Sequence, residues 1–154
     1  NPSMLSEVAS STNPVWSFVG DIDTGVGRDD ADQLVLIAGG IAAIEFEEAS
    51  DSVIVINETD AAITASVTQT QGQQPLISTW NIITTVANTN DTVTLTTART
   101  GVLQRIFNEG ANTLQIFPAS GDNAGAGVDT AITLAAGSNI SLFAKGGQNW
   151  LTVT

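Results

Sequence analysis

The chain has 154 residues and a formal net charge of −12 at pH 7, because 16 acidic residues stand against only 4 basic ones. Nucleic acids and anionic membranes recruit basic surfaces, so this balance argues against both as partners. The longest strongly apolar run, residues 34–44, is far shorter than the roughly 18 residues that span a bilayer. Cysteine and histidine are absent, which removes disulfides, imidazole bases and the usual zinc ligands. We therefore expect no enzyme, no cofactor or metal, and no membrane insertion.

The composition also predicts self-association. Only 13% of the residues are charged and 42% are hydrophobic, whereas an average soluble domain carries about 25% charged residues. A small domain exposes a large share of its surface, so this surface lacks the usual charged cover. We expect much of it to be covered by copies of the chain or by other proteins.

Charge is distributed unevenly and predicts the domain organisation. Residues 1–60 contain 12 of the 16 acidic residues and a single basic one, Arg28, whereas residues 61–90 contain no charged residue. Such asymmetry indicates modules with different surroundings. We expect an acidic N-terminal attachment and trimerisation region at 1–60, an uncharged Thr/Gln-rich connector at 61–78, and a C-terminal β-sandwich module at 79–154.

The first distinctive segment is acidic, at residues 20–32. Asp21, Asp23, Asp29 and Asp32 occupy positions 1, 3, 9 and 12 of a possible EF-hand calcium loop. That loop requires glycine at its sixth position and a bidentate glutamate at its twelfth, and this chain has Val26 and Asp32 there. The pattern therefore favours a turn-rich acidic loop in which Asp and Gly residues shape the backbone.

The next segment, residues 33–46, predicts a β-hairpin. Two apolar runs flank Gly39 and Gly40, which suit a two-residue turn. A helix over residues 34–48 is the alternative, since Ala, Leu and Glu favour helices, but two adjacent glycines would cost it about 2 kcal/mol. Residues 53–56 form a fully apolar strand that needs cover on both faces. A module of this size cannot supply that cover, which again indicates self-association.

The last two-thirds of the chain alternate between apolar and polar residues, as half-buried strands do. The alternation covers residues 92–96, 113–116, 130–134 and 140–142. Turn-forming residues separate these runs, at 88–91, 108–110, 121–127, 136–139 and 146–149. This spacing favours a sandwich or barrel. The fold class predicted for the whole chain is all-β, with an N-terminal β-hairpin or arm region, then a small antiparallel β-sandwich or barrel, in a trimer.

Three tryptophans and the clustered acids are the candidate functional groups. Trp16, Trp80 and Trp150 could stack on sugar rings, but each has apolar neighbours that equally suit a core or an interface. We retain Trp80 and Trp150 as candidate surface-binding aromatics. Paired carboxylates could hydrolyse a polysaccharide, yet that reaction needs a deep cleft, which short strands joined by tight turns rarely provide.

Two stretches resemble proteins of tailed bacteriophages. Residues 16–40, with the motif residues 17–25 and 31–34 ending on Gly39 and Gly40, resemble a segment that recurs in tail-fibre and appendage proteins. Residues 71–150, above all 108–122 and 134–138, look like a small β-module widespread in phage structural proteins. The chain differs from the first family in lacking an aromatic residue near Gly27.

The resemblance implies a virion protein: a short homotrimeric fibre or appendage that docks by its N-terminal half on other virion proteins. Its C-terminal β-domain would then be free to engage a host-surface glycan. The residues that match the attachment or assembly motif are Gly20, Asp21, Asp23, Thr24, Gly25, Ala31 and Asp32. One alternative is a capsid decoration or head-fibre protein that clamps neighbouring capsid subunits. The second is a polysaccharide depolymerase.

Overall fold

A computed structural model describes residues 3–4, 10, 12–28, 30–50, 52–57 and 59–153. The chain divides into two compact units, Asn1–Glu58 and Thr59–Thr154. Both are built from strands, which confirms the predicted all-β class. Within the described ranges, no helix is long and apolar enough to cross a membrane.

The N-terminal unit is one antiparallel sheet in which each strand pairs with the next along the chain. Its strands are β1 (Ser3–Met4), β2 (Trp16–Phe18), β3 (Asp21–Gly27), β4 (Gln33–Ala38), β5 (Ile41–Ala49) and β6 (Ser52–Asn57). The predicted hairpin is confirmed as β4 and β5. Gly39 and Gly40 form its turn at φ values of 59° and 73°, and the hairpin turn that needs two positive φ angles favours glycine at both positions.

The acidic segment is different from its predicted form. Asp21–Gly27 is a strand instead of a loop, with Gly25 opposite Ile37 and Val26 opposite Leu36. Pairing on both sides accounts for this, because β3 satisfies backbone groups of β2 and β4 together. The turn character is found at the two ends of the segment, at Gly20 before β3 and at Asp32 before β4, with φ values of 87° and 61°.

The C-terminal unit is a two-layer sandwich. Its strands are β7 (Thr59–Thr64), β8 (Trp80–Thr85), β9 (Asp91–Thr94), β10 (Leu103–Asn108), β11 (Leu114–Phe117), β12 (Ile132–Leu134), β13 (Asn139–Gly146) and β14 (Asn149–Val153). One sheet has the order β14-β13-β10-β8-β7 and the other β12-β11-β9. Buried residues of both sheets, such as Ile106, Leu142 and Ile116, form one hydrophobic core.

We expected an antiparallel sandwich, but some of its strand pairs are parallel. β7 and β8, β8 and β10, and β9 and β11 pair in parallel. The chain moves to the other sheet between β8 and β10 and again between β9 and β11. Two strands of one sheet that are separated by such an excursion can run in the same direction.

Residues 61–78, predicted to be a connector, belong to the C-terminal unit. They begin within β7 and then cross the second sheet, with bridges from Ser66 to Thr92 and from Pro75 to Thr94. Leu76 is buried in the core. The uncharged Thr/Gln composition predicted a connector, but several of these side chains bind backbone groups of the unit. The Gln71 side chain, for example, donates to the carbonyl oxygen of Pro118 at 2.9 Å.

Candidate assembly face and ligand-binding surface

One face of the N-terminal sheet is apolar across five strands. Residues that pair across strands lie on the same face, and the register gives two apolar rows and, beyond them, Val53 opposite Glu48. We call this surface the apolar face; it consists of Trp16, Val26, Leu34, Leu36, Ile44, Phe46, Val53 and Val55. Trp16 is 52% exposed and Val55 is 54% exposed. A large apolar surface left open to water marks an interaction site.

The opposite face of this sheet has a different character. Val35 and Ile37 are buried there, and the backbone carbonyl oxygen of Asn13 lies against Gly27. Glu45 and Glu47 point to this side, since they pair with Val35 and Gln33. The sheet therefore separates Glu45 and Glu47 from its apolar face, whereas Glu48, opposite Val53, lies at one end of that face.

In the first part of the attachment or assembly motif, Asp23 and Thr24 hold the Gly39–Gly40 turn. The backbone N–H of Gly39 donates to the Thr24 hydroxyl at 3.0 Å, and that of Gly40 donates to the Asp23 carbonyl oxygen at 2.7 Å. Gly25 is needed for a different reason, because a Cβ there would lie only 1.8 Å from the Trp16 carbonyl oxygen. Gly20 has a φ of 87° and turns the chain between β2 and β3. These motif residues therefore build the sheet.

The second part of the motif lies at the other end of β4. Ala31 and Asp32 precede that strand, and the Asp32 carbonyl oxygen accepts from the Glu48 N–H at 3.0 Å. The structure therefore does not bring all seven motif residues to one place. Among the described residues, no three acidic side chains come close enough to hold a metal ion.

The two candidate tryptophans have opposite positions. Trp150 is only 3% exposed and belongs to the hydrophobic core, so its assignment as a surface-binding aromatic was wrong. It lies opposite Ala144 on β13, on the inner side of the sheet. Trp80 is partly exposed and lies opposite Arg105, on the outer side.

Arg105 and Phe107 join Trp80 in a cluster that the sequence reasoning missed. The rings of Trp80 and Phe107 are stacked, with centroids 5.7 Å apart and planes inclined by 12°. The Arg105 guanidinium carbon lies 5.0 Å from the Trp80 ring centroid and 5.1 Å from that of Phe107. These contacts hold the cation by cation–π attraction. The alternation of side-chain directions along a strand at residues 103–108 could have indicated this cluster, because it places Arg105 and Phe107 on one face.

Beside this cluster is a hollow of about 350 Å³. It is lined by Arg105, Asn139, Ile140, Ser141, Thr152 and Val153. The Arg105 guanidinium donates to the Asn139 side-chain oxygen at 3.5 Å, and its Nε is buried without a hydrogen-bond partner in the described structure. Among the described residues, Arg105 has no acidic partner. Within the described part of the chain, the hollow thus combines a cation that has no acidic partner with neutral polar and apolar groups.

The glycine-rich segment at 121–127 is a structured connection rather than a ligand loop. The Asn123 side chain accepts from the N–H groups of Gly125 and Gly127. The Asp129 carboxylate accepts from the Gln71 side chain at 2.9 Å and from the Gly121 N–H at 2.7 Å. These hydrogen bonds, that from Gln71 foremost, hold the pKa of Asp129 below its ordinary value.

Comparison with known proteins identified no relative of this chain. No protein-family model, no curated protein and no solved structure matches the chain.

Proposed function

We propose that this chain is a structural subunit of a tailed-phage virion. It forms a short homotrimeric fibre or appendage, docks through its N-terminal half on other virion proteins and presents its C-terminal sandwich to the host surface. The observation that carries this proposal is the apolar face. The location in a virion and the trimeric state are supported by the resemblance of residues 16–40 and 71–150 to phage structural proteins.

The N-terminal unit needs a partner because it has a single sheet. Stable domains bury a sheet against a second layer, and the described part of this unit contains one six-stranded sheet only. Val35 and Ile37 are buried on one side, while on the apolar face Trp16, Leu34, Leu36, Val53 and Val55 are exposed. Covering that face would remove a large apolar area from water, which drives association.

The charge distribution favours a second copy of the chain as the occupant. The N-terminal unit is strongly acidic, so two copies repel each other through most surfaces. The apolar face carries less charge, because Glu45 and Glu47 project from the other side, although Glu48, opposite Val53, lies at one end of it. Copies can therefore meet over the part of this face away from Glu48 without placing Glu45 or Glu47 against each other.

A matched pair of variants on β6 tests this assembly. Ile54 and Val55 are adjacent, both exposed, and point to opposite faces of the sheet. We expect native protein to have a mass near three times 15.9 kDa by light scattering coupled to size exclusion. Val55→Asp should dissociate it, because a carboxylate would be buried without a partner, whereas Ile54→Asp should leave the mass unchanged. A monomeric native protein, or equal effects of the two variants, would contradict the proposal.

Antibody labelling of intact phage particles tests the location. Fibre or appendage subunits should be labelled at discrete projections of the particle. Labelling spread evenly over the capsid lattice would instead indicate a decoration protein, and absence of the chain from purified particles would refute a virion role.

A further inference from the structure

We infer that the cluster of Trp80, Arg105 and Phe107, with the hollow beside it, binds a uronic acid unit of a carboxylated polysaccharide. The inference rests on the proposed function in one respect, that the C-terminal sandwich meets a host surface. The binding groups themselves belong to a single C-terminal unit, so they can be tested apart from the assembly.

The aromatic pair supplies an apolar surface of suitable shape. Trp80 and Phe107 are both partly exposed on the outer side of the five-stranded sheet. Their rings are nearly parallel, at 12°, and both lie beside the Arg105 guanidinium. A pyranose ring has an apolar side made of C–H groups, and aromatic side chains provide large apolar contact areas with few degrees of freedom.

Arg105 supplies the charge that selects an acidic sugar. Its planar guanidinium can form two parallel hydrogen bonds to one carboxylate. The two aromatic contacts fix its position, so little side-chain entropy is lost on binding. No described carboxylate neutralises it, even though the chain is strongly acidic overall. A bound carboxylate would therefore be the counter-charge that the cluster lacks.

The hollow has the size and lining for one sugar unit. Its volume of about 350 Å³ is near the lower end of the range of about 300–1,000 Å³ found for small-molecule sites. Asn139, Ser141 and Thr152 line it and can exchange hydrogen bonds with hydroxyl groups. A uronic acid carries its carboxylate directly on a ring carbon, which suits a guanidinium that lies 5.0 Å from the centre of the stacking ring.

An apolar surface of a second copy is the competing occupant, because Leu103 and Phe143 are exposed on the same side of the sheet. Such a partner would cover the Arg105 guanidinium without supplying a counter-charge. Burying an unpaired charge is strongly unfavourable. The cation and the polar hollow therefore favour the acidic sugar.

Isothermal titration calorimetry of the full chain with tetragalacturonate tests the inference, and maltotetraose serves as the neutral control. We expect tetragalacturonate to bind and maltotetraose to bind at least about tenfold more weakly. Arg105→Gln should weaken tetragalacturonate binding by roughly tenfold or more. Arg99→Gln, which removes the same charge from an exposed loop outside the hollow, should leave it unchanged.

Two further measurements separate the inference from misfolding of a variant and from occupation of the surface by a second copy. Added salt should weaken binding of tetragalacturonate to the native protein, since the contact is electrostatic. Light scattering should give the same mass for native protein and Arg105→Gln, whereas a changed mass would assign the surface to a second copy and overturn the inference. Absence of binding, equal binding of both tetrasaccharides, or equal losses in Arg105→Gln and Arg99→Gln would overturn it as well. A trimer that fails to bind contradicts this inference alone, and a monomer that binds contradicts the proposed assembly alone.

Discussion

Replacing Leu34 by alanine measures how much the apolar face contributes to assembly. Leu34 is 47% exposed within one chain. Full burial of a leucine side chain contributes about 1.5–3 kcal/mol, so covering its exposed half contributes about 1 kcal/mol per copy. A trimer that loses this contribution at three positions is weakened by about 3 kcal/mol. That loss corresponds to a roughly hundredfold change in the assembly constant.

The assay is light scattering of the full chain over a dilution series, which gives the concentration at which the assembly dissociates. We expect Leu34→Ala to raise that concentration substantially. Ile77→Ala is the control, because Ile77 is an aliphatic residue that is 77% exposed in the C-terminal unit. If the two variants dissociate at the same concentration as native protein, the apolar face is not a contact between copies and the reasoning fails.

Three further variants test the fold. Gly25→Ala would place a methyl group against the Trp16 carbonyl oxygen, so we expect a loss of about 2 kcal/mol or more in urea unfolding; an unchanged midpoint would show that the strands can separate there. Asn108→Ala leaves two backbone carbonyl oxygens, each bonded at 2.9 Å, without their donor, and should cost about 1–3 kcal/mol; a stability equal to native would contradict the assigned hydrogen bonds. The hydrogen bond from Gln71 holds the pKa of Asp129 below its ordinary value of 3.8. The stability that this ionised carboxylate contributes is therefore complete above pH 3.8 and is lost as the pH falls through the lowered pKa. Native protein should therefore lose more stability on acidification than Asp129→Asn does, and equal losses in the two proteins would refute this linkage.

Local patterns predicted much of the secondary structure. Gly39 and Gly40 specified the hairpin of β4 and β5, because few other residues accept two successive positive φ angles. Alternation over residues 113–116 predicted a strand, which the structure has at Leu114–Phe117 with Leu114 and Ile116 buried. Both features depend on residues close together in sequence, and the sequence therefore contains the information that decides them.

Long-range pairing decided the features that sequence reasoning missed. Residues 61–78 were assigned as a connector because they are polar and uncharged, yet they pack against β9 through bridges that join distant positions. Asp21–Gly27 was assigned as a loop from its turn-forming residues, and pairing with two neighbouring strands makes it a strand. A polar segment has no local signal for such partners.

The sequence by itself determined that the chain is all-β, strongly acidic at its N-terminal end and short of charged surface. It also determined that successive residues of β10 face opposite sides, since strand geometry requires it. Only the tertiary structure decided which side is inside. Ile106 packs into the core, and Gln104 and Asn108 beside it can be buried because their amides bind backbone groups of neighbouring segments. Arg105 and Phe107 are consequently placed outside beside Trp80, so the candidate binding surface depends on hydrogen bonds between residues far apart in the chain.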